Sequence, residues 1–454
     1  MFKQLLHSLT RRAARPGPAS GAVPGRTEQA RAAHAAFERQ CAELRNPAHA
    51  DDATLQTLLA YAHVCYEVET AAADAECERA LRRALALDPN HPQALYALAL
   101  LISADARLAE AETHLRAAYA LAPDDLNVRF ALVMCLLGRS NYPEGYRLFG
   151  VRLETPSHPA PHIAALPAWR GEALAGKTLV LWTDWGGFGD DVAYARYARA
   201  IREVHRPARL IVAVRKPMQG LLGSQAYVDQ AVDLDTAVEA DLQCSMIEAV
   251  GAMASEFSTL PGWPAYLEAP ARQQQQWQRR LQGEQRLKVG LVWTSTSAPL
   301  VDLGWSGRYD KHLPDRTLAA LGGLENVVFV SLQKGAGIAK AADLLPGAAV
   351  IDVTEELGDF ADTAALLRQL DIVVAVDTAV GHLAGALGVP TLLLVKKSRG
   401  YFWPEAGTRT PWYPAMRMVA QEKVRDWSPV LARVRATLQR RAAGIPWPEC
   451  FDQA

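Results

Sequence analysis

The stretch that decides the fold is Ile372-Val373-Val374-Ala375-Val376, followed by Asp377-Thr378-Ala379-Val380-Gly381-His382. Five apolar residues in a row predict a buried strand, and the Asp-Thr pair closes that strand. The small residues that follow predict a helix whose backbone can approach a ligand closely. Because the first amides of a helix and its dipole face outward, this turn suits an anionic phosphate group.

A second turn of the same kind lies about 190 residues earlier. The apolar run Leu179-Val180-Leu181-Trp182 leads to Gly186-Gly187-Phe188-Gly189-Asp190-Asp191, and a predicted helix over Val192–Val204 follows. Taken alone, the glycines indicate only a tight turn, and Asp190 could be a helix N-cap. Two such units predict two Rossmann-like halves, with the carboxylate near position 190 facing the helix start near 380 across a shared crevice.

Strands alternating with helices around both turns predict parallel, doubly wound sheets. Residues 177–285 form the first predicted lobe and residues 286–440 the second. A polar, glutamine-rich stretch at 271–285 is typical of a surface helix between lobes. Residues 441–454 are predicted to be a tail.

The region before these lobes has helical spacing of its apolar residues. Ala84-Leu85-Ala86-Leu87-Asp88-Pro89 recurs 34 residues later as Ala118-Tyr119-Ala120-Leu121-Ala122-Pro123. A period of 34 resembles the tetratricopeptide repeat and predicts an all-α repeat domain over 27–150. It could bind a protein partner or serve as a spacer or dimerisation arm. Residues 1–26 are predicted to be a disordered tail and residues 151–176 a linker.

One phosphate-binding motif in the linker is misleading. Residues 171–178, Gly-Glu-Ala-Leu-Ala-Gly-Lys-Thr, satisfy the Walker A pattern. A P-loop follows a strand and opens a helix, whereas this motif precedes a strand. We interpret it as a turn leading into the first strand.

Composition excludes several function classes. The 454 residues carry a formal net charge of −1, which gives no reason to expect a nucleic-acid partner. No apolar run approaches the roughly 20 residues that span a bilayer. The six cysteines include no C-x-x-C pair, which is typical of reduced thiols in a cytoplasmic protein and argues against a zinc site.

The quoted turns also carry a family resemblance. Together with Gly189-Asp190, Ser331-Leu332-Gln333-Lys334-Gly335 and Pro411-Trp412-Tyr413-Pro414, the 377–388 stretch resembles glycosyltransferases related to the ADP-heptose:lipopolysaccharide heptosyltransferases, the family 9-like group. It looks most like the branch with tetratricopeptide repeats, and the resemblance covers roughly residues 80–440. It implies a GT-B fold: two Rossmann-like lobes with the active site between them and the nucleotide-sugar mainly on the second lobe.

The resemblance also implies roles for individual residues. Asp190 matches the proposed general base, while Gly187, Gly189 and Asp191 belong to its acceptor-side loop; the doubled acid leaves open which carboxylate is the base. The positions that match the donor-binding side are Thr294, Lys311, Gln333, Asp377, Thr378, Gly381 and His382. Neither a metal nor another cofactor is expected. The segment Lys396–Trp403 departs from the expected acid- and Trp-rich loop, which leaves the sugar open.

The leading hypothesis is therefore a metal-independent glycosyltransferase that moves a sugar from a nucleotide-sugar to a protein or glycan acceptor. Two alternatives stay open. One is a non-catalytic repeat scaffold with a degenerate glycosyltransferase-like domain, and the other is a GT-B-shaped nucleotide-sugar epimerase. The sequence does not identify the sugar, the nucleotide, the acceptor or the oligomeric state.

Overall fold

The computed structural model describes residues 24–68, 70–154, 160–253, 260–295, 312–335, 338–424 and 426–453. An all-helical region comes first and two parallel α/β sheets follow it. The predicted order of an all-α region before two parallel α/β units is confirmed. The predicted disordered segment 1–26 lies mostly outside the described residues, and the first helix already begins at Pro24.

The helical region is a chain of helices in which each packs against the next. Its members are α1 (Pro24–His49), α2 (Leu55–Val68), α3 (Ala71–Leu87), α4 (Pro92–Ala104), α5 (Leu108–Leu121), α6 (Leu126–Gly138) and α7 (Tyr142–Leu148). Helices α3 and α5 end 34 residues apart, at Leu87 and Leu121. The helix pairs therefore recur at the predicted period, while their assignment as tetratricopeptide repeats stays a prediction.

Polar caps explain where several of these helices start. The side chain of Thr70 accepts a hydrogen bond from the Ala73 amide, and Asp125 accepts from the amides of Asn127 and Val128. Such side chains satisfy amides that have no partner inside the helix. Alanines and leucines facing inward form one continuous core through this region.

A short connection joins the helices to the first sheet. It comprises a 3₁₀ helix (Phe149–Glu154) and α8 (Pro161–Ala164). Trp169 docks it, because its ring is buried and its indole N–H donates to the Glu172 carbonyl at 2.8 Å. The Walker A-like stretch forms a turn ahead of the first strand, with Gly176 at a φ of +76°.

The first sheet has four parallel strands in the order β3-β2-β1-β4. Its elements are β1 (Thr178–Trp182), α9 (Phe188–Tyr194), α10 (Arg196–Val204), β2 (Arg209–Val214), α11 (Lys216–Gly223), β3 (Gln230–Asp233), β4 (Leu242–Ser245) and α12 (Glu248–Ala252). The predicted single helix over Val192–Val204 is wrong: the chain forms two helices that meet at Ala195. The first begins at the turn itself, with Gly187 as its N-cap residue. Asp190 is therefore not the N-cap: it lies in the first turn of the helix, and its side chain accepts a hydrogen bond from the Gly187 amide.

Helix α13 (Ala271–Arg280) connects this sheet to a second one of six parallel strands, in the order β10-β9-β8-β5-β6-β7. The elements are β5 (Leu287–Val292), a 3₁₀ helix (Asp315–Leu321), β6 (Val327–Ser331), α14 (Ala341–Leu344), β7 (Ala349–Asp352), α15 (Phe360–Leu367), β8 (Ile372–Val376), α16 (Ala379–Ala386), β9 (Thr391–Val395), β10 (Met416–Ala420), α17 (Ser428–Ala442) and α18 (Glu449–Asp452). Strands β5, β6, β8 and β9 are almost entirely buried, as parallel strands covered by helices on both faces are.

The prediction of a tail at 441–454 is wrong for its described part. Helix α18 folds back, and Cys450 and Phe451 are buried, with Phe451 in the core that includes Trp427. Among the described residues, no helix has the length and apolar character needed to cross a membrane.

Candidate functional site

The first turn is built around the Asp190 side chain. Gly186 follows β1 with a φ of +89°, a conformation that favours glycine, and a side chain there would run into the Asp190 carboxylate. The Gly187 amide donates to Asp190 Oδ2 at 2.7 Å. The turn therefore holds the carboxylate at the N-terminal end of α9.

Asp190 lies in an apolar environment with few donors. Its side chain is 8% exposed, and the hydroxyl of Tyr401 donates a hydrogen bond to Oδ1. Burial raises the pKa of Asp190, while the hydrogen bonds from Tyr401 and the Gly187 amide oppose that rise. A carboxylate with a raised pKa accepts a proton more readily, which suits a general base.

The neighbouring acid has a different partner. Asp191 is 1% exposed and pairs with Arg215, with 2.6 Å between Oδ1 and Nη2. Arg215 also donates to the Gly186 carbonyl at 2.8 Å. Burial raises the pKa of Asp191 to about 7, against the opposing effect of Arg215. Asp191 therefore stabilises the turn through Arg215. Of the two acids, Asp190 is the one that contacts the second lobe.

The second turn presents the start of α16. Thr378 caps this helix by accepting a hydrogen bond from the Gly381 amide at 3.4 Å, and its own hydroxyl donates to the Val376 carbonyl at 3.1 Å. A side chain on Gly381 would crowd Leu393. Asp377 is partly exposed beside the helix start, where polar groups at the carboxyl end of a parallel strand commonly meet ligands.

His382 is the most constrained side chain of the second turn. It is 3% exposed, its Nδ1 lies 2.8 Å from the Tyr413 hydroxyl, and its Nε2 lies 3.6 Å from Asp377 Oδ1. The rings of Phe402 and Trp403 contact it, with centroids 4.7 and 4.9 Å away. The ring therefore has little freedom to move.

The two turns lie next to each other, but not across an open crevice. Helices α9 and α16 pack together, and a methyl group placed on Gly189 would come within 2.9 Å of His382 Cδ2. The predicted gap is filled at this point, because His382 contacts Gly189 and Tyr401 covers Asp190. The sequence predicted that the two turns lie near each other, but it did not predict that side chains fill the space between them.

Two of the remaining donor-side predictions, Thr294 and Gln333, lie near the end of β5. The Gln333 side-chain oxygen accepts from the amides of Trp293 and Thr294 at 3.0 and 2.9 Å, and its nitrogen donates to the Lys334 carbonyl. Gln333 therefore braces the backbone at this strand end. Thr294 forms a side-chain hydrogen bond with His312. Lys311 lies outside the described residues.

Sequence reasoning missed three contributors to the site: Tyr401, Tyr413 and Arg215. Tyr413 belongs to the quoted Pro-Trp-Tyr-Pro segment, which signalled only a resemblance. Tyr401 lies in the segment that departs from the expected loop, and that departure was the available signal. Arg215 follows β2, and only the paired strands β1 and β2 bring it beside the first turn.

Comparison with known proteins relates part of the chain to one family. Residues 215–425 match the family model of glycosyltransferase family 9 (heptosyltransferase). The predicted relation to the heptosyltransferase group is confirmed, and with it the prediction of a glycosyltransferase-type enzyme domain. The matched range begins after Asp190 and Asp191.

Individual relatives are distant. Protein FlbA of Caulobacter vibrioides is 27% identical over 348 residues, which is 70% of this chain and 55% of that protein. The chain thus spans about half the length of that relative. A glycosyl transferase family 9 structure from Veillonella parvula is 11% identical and covers 56% of this chain and 88% of its own, with a TM-score of 0.42. The structure of E. coli ADP-heptose lps heptosyltransferase II is 15% identical and covers 58% of this chain and 99% of its own, with a TM-score of 0.41.

Proposed function

We propose that this protein is a GT-B glycosyltransferase that transfers a sugar from a nucleotide-sugar to a protein or glycan acceptor. The observation that carries the proposal is the packing of a buried carboxylate, Asp190, beside the amide-rich start of α16. The match of residues 215–425 to a glycosyltransferase family supports it. We further propose that the protein acts in the cytoplasm, which suits its six buried cysteines, since none of them forms a disulfide.

In the proposed reaction, Asp190 accepts the proton of the acceptor hydroxyl as that oxygen bonds to the anomeric carbon. The bond from this carbon to the donor phosphate breaks, and the nucleoside diphosphate leaves with the negative charge. The first amides of α16 and the hydroxyl of Thr378 stabilise that charge, as preorganised donors do for a developing anion. Thr294, Lys311, Gly381 and His382 complete the proposed donor side.

Two of the predicted donor-side residues have narrower roles in this proposal. Asp377 is an acceptor for a hydroxyl of the donor, because a carboxylate repels a phosphate. Gln333 acts indirectly by shaping the backbone at Thr294. Metal independence stays part of the proposal: the leaving charge is assigned to backbone amides and hydroxyls. The helical region is proposed to recruit a protein, either the acceptor or another partner.

The first test is a thermal-shift screen with ADP, UDP, GDP and dTDP and their sugars. A nucleotide that binds the native state raises the melting temperature, by an amount that grows with the logarithm of one plus its concentration divided by Kd. The nucleotide-sugar that binds is then tested for release of its nucleoside diphosphate.

The second test is Asp190→Asn, with Asp241→Asn as the matched control. Asp241 also accepts a backbone hydrogen bond, from Thr178 at 2.7 Å, but at the far end of β1. We expect Asp190→Asn to lower turnover by roughly 10² to 10⁴-fold, the usual contribution of a general base, while the thermal shift by the nucleotide is kept. Equal turnover in both variants would exclude Asp190 as the base.

The covered position of Asp190 favours one competing proposal, a scaffold whose glycosyltransferase-like domain has lost catalysis. A scaffold predicts that no nucleotide-sugar in the screen binds or turns over. Binding of a nucleoside diphosphate without turnover by any sugar conjugate would favour a regulatory nucleotide site. Turnover of one nucleotide-sugar would remove the scaffold alternative.

A further inference from the structure

One segment of the second lobe covers the candidate base. This cover segment, residues 396–405, follows β9 and places the Tyr401 hydroxyl on Asp190 Oδ1. The Tyr401 ring lies in an aromatic cluster, 4.2 Å from Phe402, 6.3 Å from Phe149 and 6.4 Å from Trp185 between ring centroids. Burial raises the pKa of Tyr401 well above its usual value, so the phenol keeps its proton and acts as a donor.

The same segment also makes two polar contacts with the helical region. Lys397 Nζ lies 2.5 Å from Asp105 Oδ1, and Glu405 Oε1 accepts a hydrogen bond from the Leu108 amide at 3.2 Å. Asp105 and Leu108 flank the junction of α4 and α5. The cover segment thus reaches from Asp190 to the junction between α4 and α5. One polar contact with that junction lies on each side of Tyr401 in the sequence.

The Tyr401 hydroxyl occupies the place that an acceptor hydroxyl needs. A general base must lie within hydrogen-bond distance of the proton that it removes, and Oδ2 already accepts from the Gly187 amide. Tyr401 donates to Oδ1, and the Asp190 side chain beneath it is only 8% exposed. An acceptor hydroxyl can therefore reach this carboxylate only when the phenol moves away.

We propose that the cover segment is a gate in which Tyr401 blocks Asp190 and the α4–α5 junction holds the gate closed. This inference rests on the proposed function. A ligand that pulls the α4–α5 junction away from Lys397 and Glu405 releases Tyr401 and admits the acceptor. The closed gate also keeps water from Asp190, and so protects the donor from hydrolysis before the acceptor binds.

The gate predicts a measurable side reaction when it is loosened. Water then takes the acceptor's place: its oxygen bonds to the anomeric carbon, its proton passes to Asp190, and the bond to the donor phosphate breaks. The products are the free sugar and the nucleoside diphosphate. The assay measures nucleoside diphosphate release without acceptor, using the nucleotide-sugar that turns over with the wild-type protein.

Three variants test the gate. Tyr401→Phe removes the hydroxyl and keeps the ring, and we expect donor hydrolysis to rise roughly tenfold, the effect of one hydrogen bond to a charged group. Lys397→Ala removes one of the two polar contacts with the α4–α5 junction, and we expect a rise of about two- to fivefold, because an exposed pair contributes little. Lys288→Ala is the matched control: it breaks a Lys–Asp pair with 3.1 Å between Lys288 Nζ and Asp371 Oδ2, remote from the gate.

A second readout does not depend on catalysis. Carbodiimide and an amine label accessible carboxyl groups, and peptide mass spectrometry gives the labelling rate at Asp190. We expect faster labelling in Lys397→Ala than in Lys288→Ala. Equal labelling and equal hydrolysis in these variants would overturn the gate, even if the wild-type protein transfers sugar. Faster labelling of Asp190 without turnover of any nucleotide-sugar would keep the gate and reject the proposed function.

Discussion

Gly189→Ala probes the contact between the two turns most directly. Gly189 lies within α9, and the added methyl group would come to 2.9 Å from Cδ2 and 3.4 Å from Nε2 of His382. The histidine has little room to retreat, because Tyr413 holds its Nδ1 and the Phe402 and Trp403 rings lie against it. The substitution should therefore strain this contact.

Two opposing terms set the effect on stability. Replacing a helical glycine with alanine stabilises a helix by about 0.5–1 kcal/mol. Overpacking a filled site costs roughly 1–3 kcal/mol. Gly251→Ala isolates the first term, because a methyl group at this exposed helical glycine meets nothing within 4 Å. We expect Gly189→Ala to be less stable than Gly251→Ala by about 1–3 kcal/mol, the overpacking term alone.

The effect on turnover should be larger than the effect on stability. To restore a carbon–carbon separation of about 3.5 Å, the His382 ring must shift by roughly 0.6 Å. Misplacing a site group by about 1 Å can lower a rate about 10²-fold, so we expect a loss of tenfold or more in nucleotide-sugar turnover. Denaturant unfolding and nucleoside diphosphate release measure the two quantities. Equal stability and equal turnover in both glycine variants would refute the packing of Gly189 on His382.

Two further predictions concern buried charges. Arg152 and Asp184 form an ion pair that is 2% and 1% exposed, and Arg152→Met leaves Asp184 buried without its partner. We expect a loss of about 3–5 kcal/mol in denaturant unfolding, against little change for Arg170→Met, whose side chain is 71% exposed. For Asp191, burial raises the folded pKa to about 7, above that of the unfolded chain. The protonated form is therefore favoured on folding, and wild-type stability falls as pH rises from 4 through 7, by at most about 4 kcal/mol. Asp191→Asn should lack this fall, and parallel pH profiles for the two proteins would contradict it.

The sequence was sufficient for the features that local pattern determines. The apolar runs placed β1 and β8 correctly, because a buried parallel strand needs little beyond continuous apolar residues and a turn. The 34-residue period appears in the helix ends at Leu87 and Leu121. The break at Ala195 was missed because alanine favours helix on both sides of it. Helix α18 was missed because contacts with residues distant in sequence hold it: Phe451 is buried in the core of the second lobe, and Asp452 pairs with Arg417.

The site was predictable only in part, since several of its contacts join residues that are distant in sequence. The turns signalled Asp190 and His382, but nothing local to Asp190 indicates that Tyr401, 211 residues later, donates to it. The same holds for Asp191 and Arg215, which meet only once β1 and β2 pair. For this reason the sequence left open whether Asp190 or Asp191 is the base, because the two carboxylates differ in their partners and not in their local sequence.

The environment of Asp190 comes from three parts of the chain. The turn after β1 supplies its position, α16 supplies the facing helix, and the cover segment supplies Tyr401. Residues 215–425, which match the glycosyltransferase family, contain the second and third contributors but not Asp190 itself. The helical region in turn holds the cover segment through Asp105 and Leu108. A fragment limited to the family-like range would therefore lack the proposed base and the contacts that hold the proposed gate. The proposed catalysis thus requires the first sheet to stay joined to the second, and its proposed control requires the helical region as well.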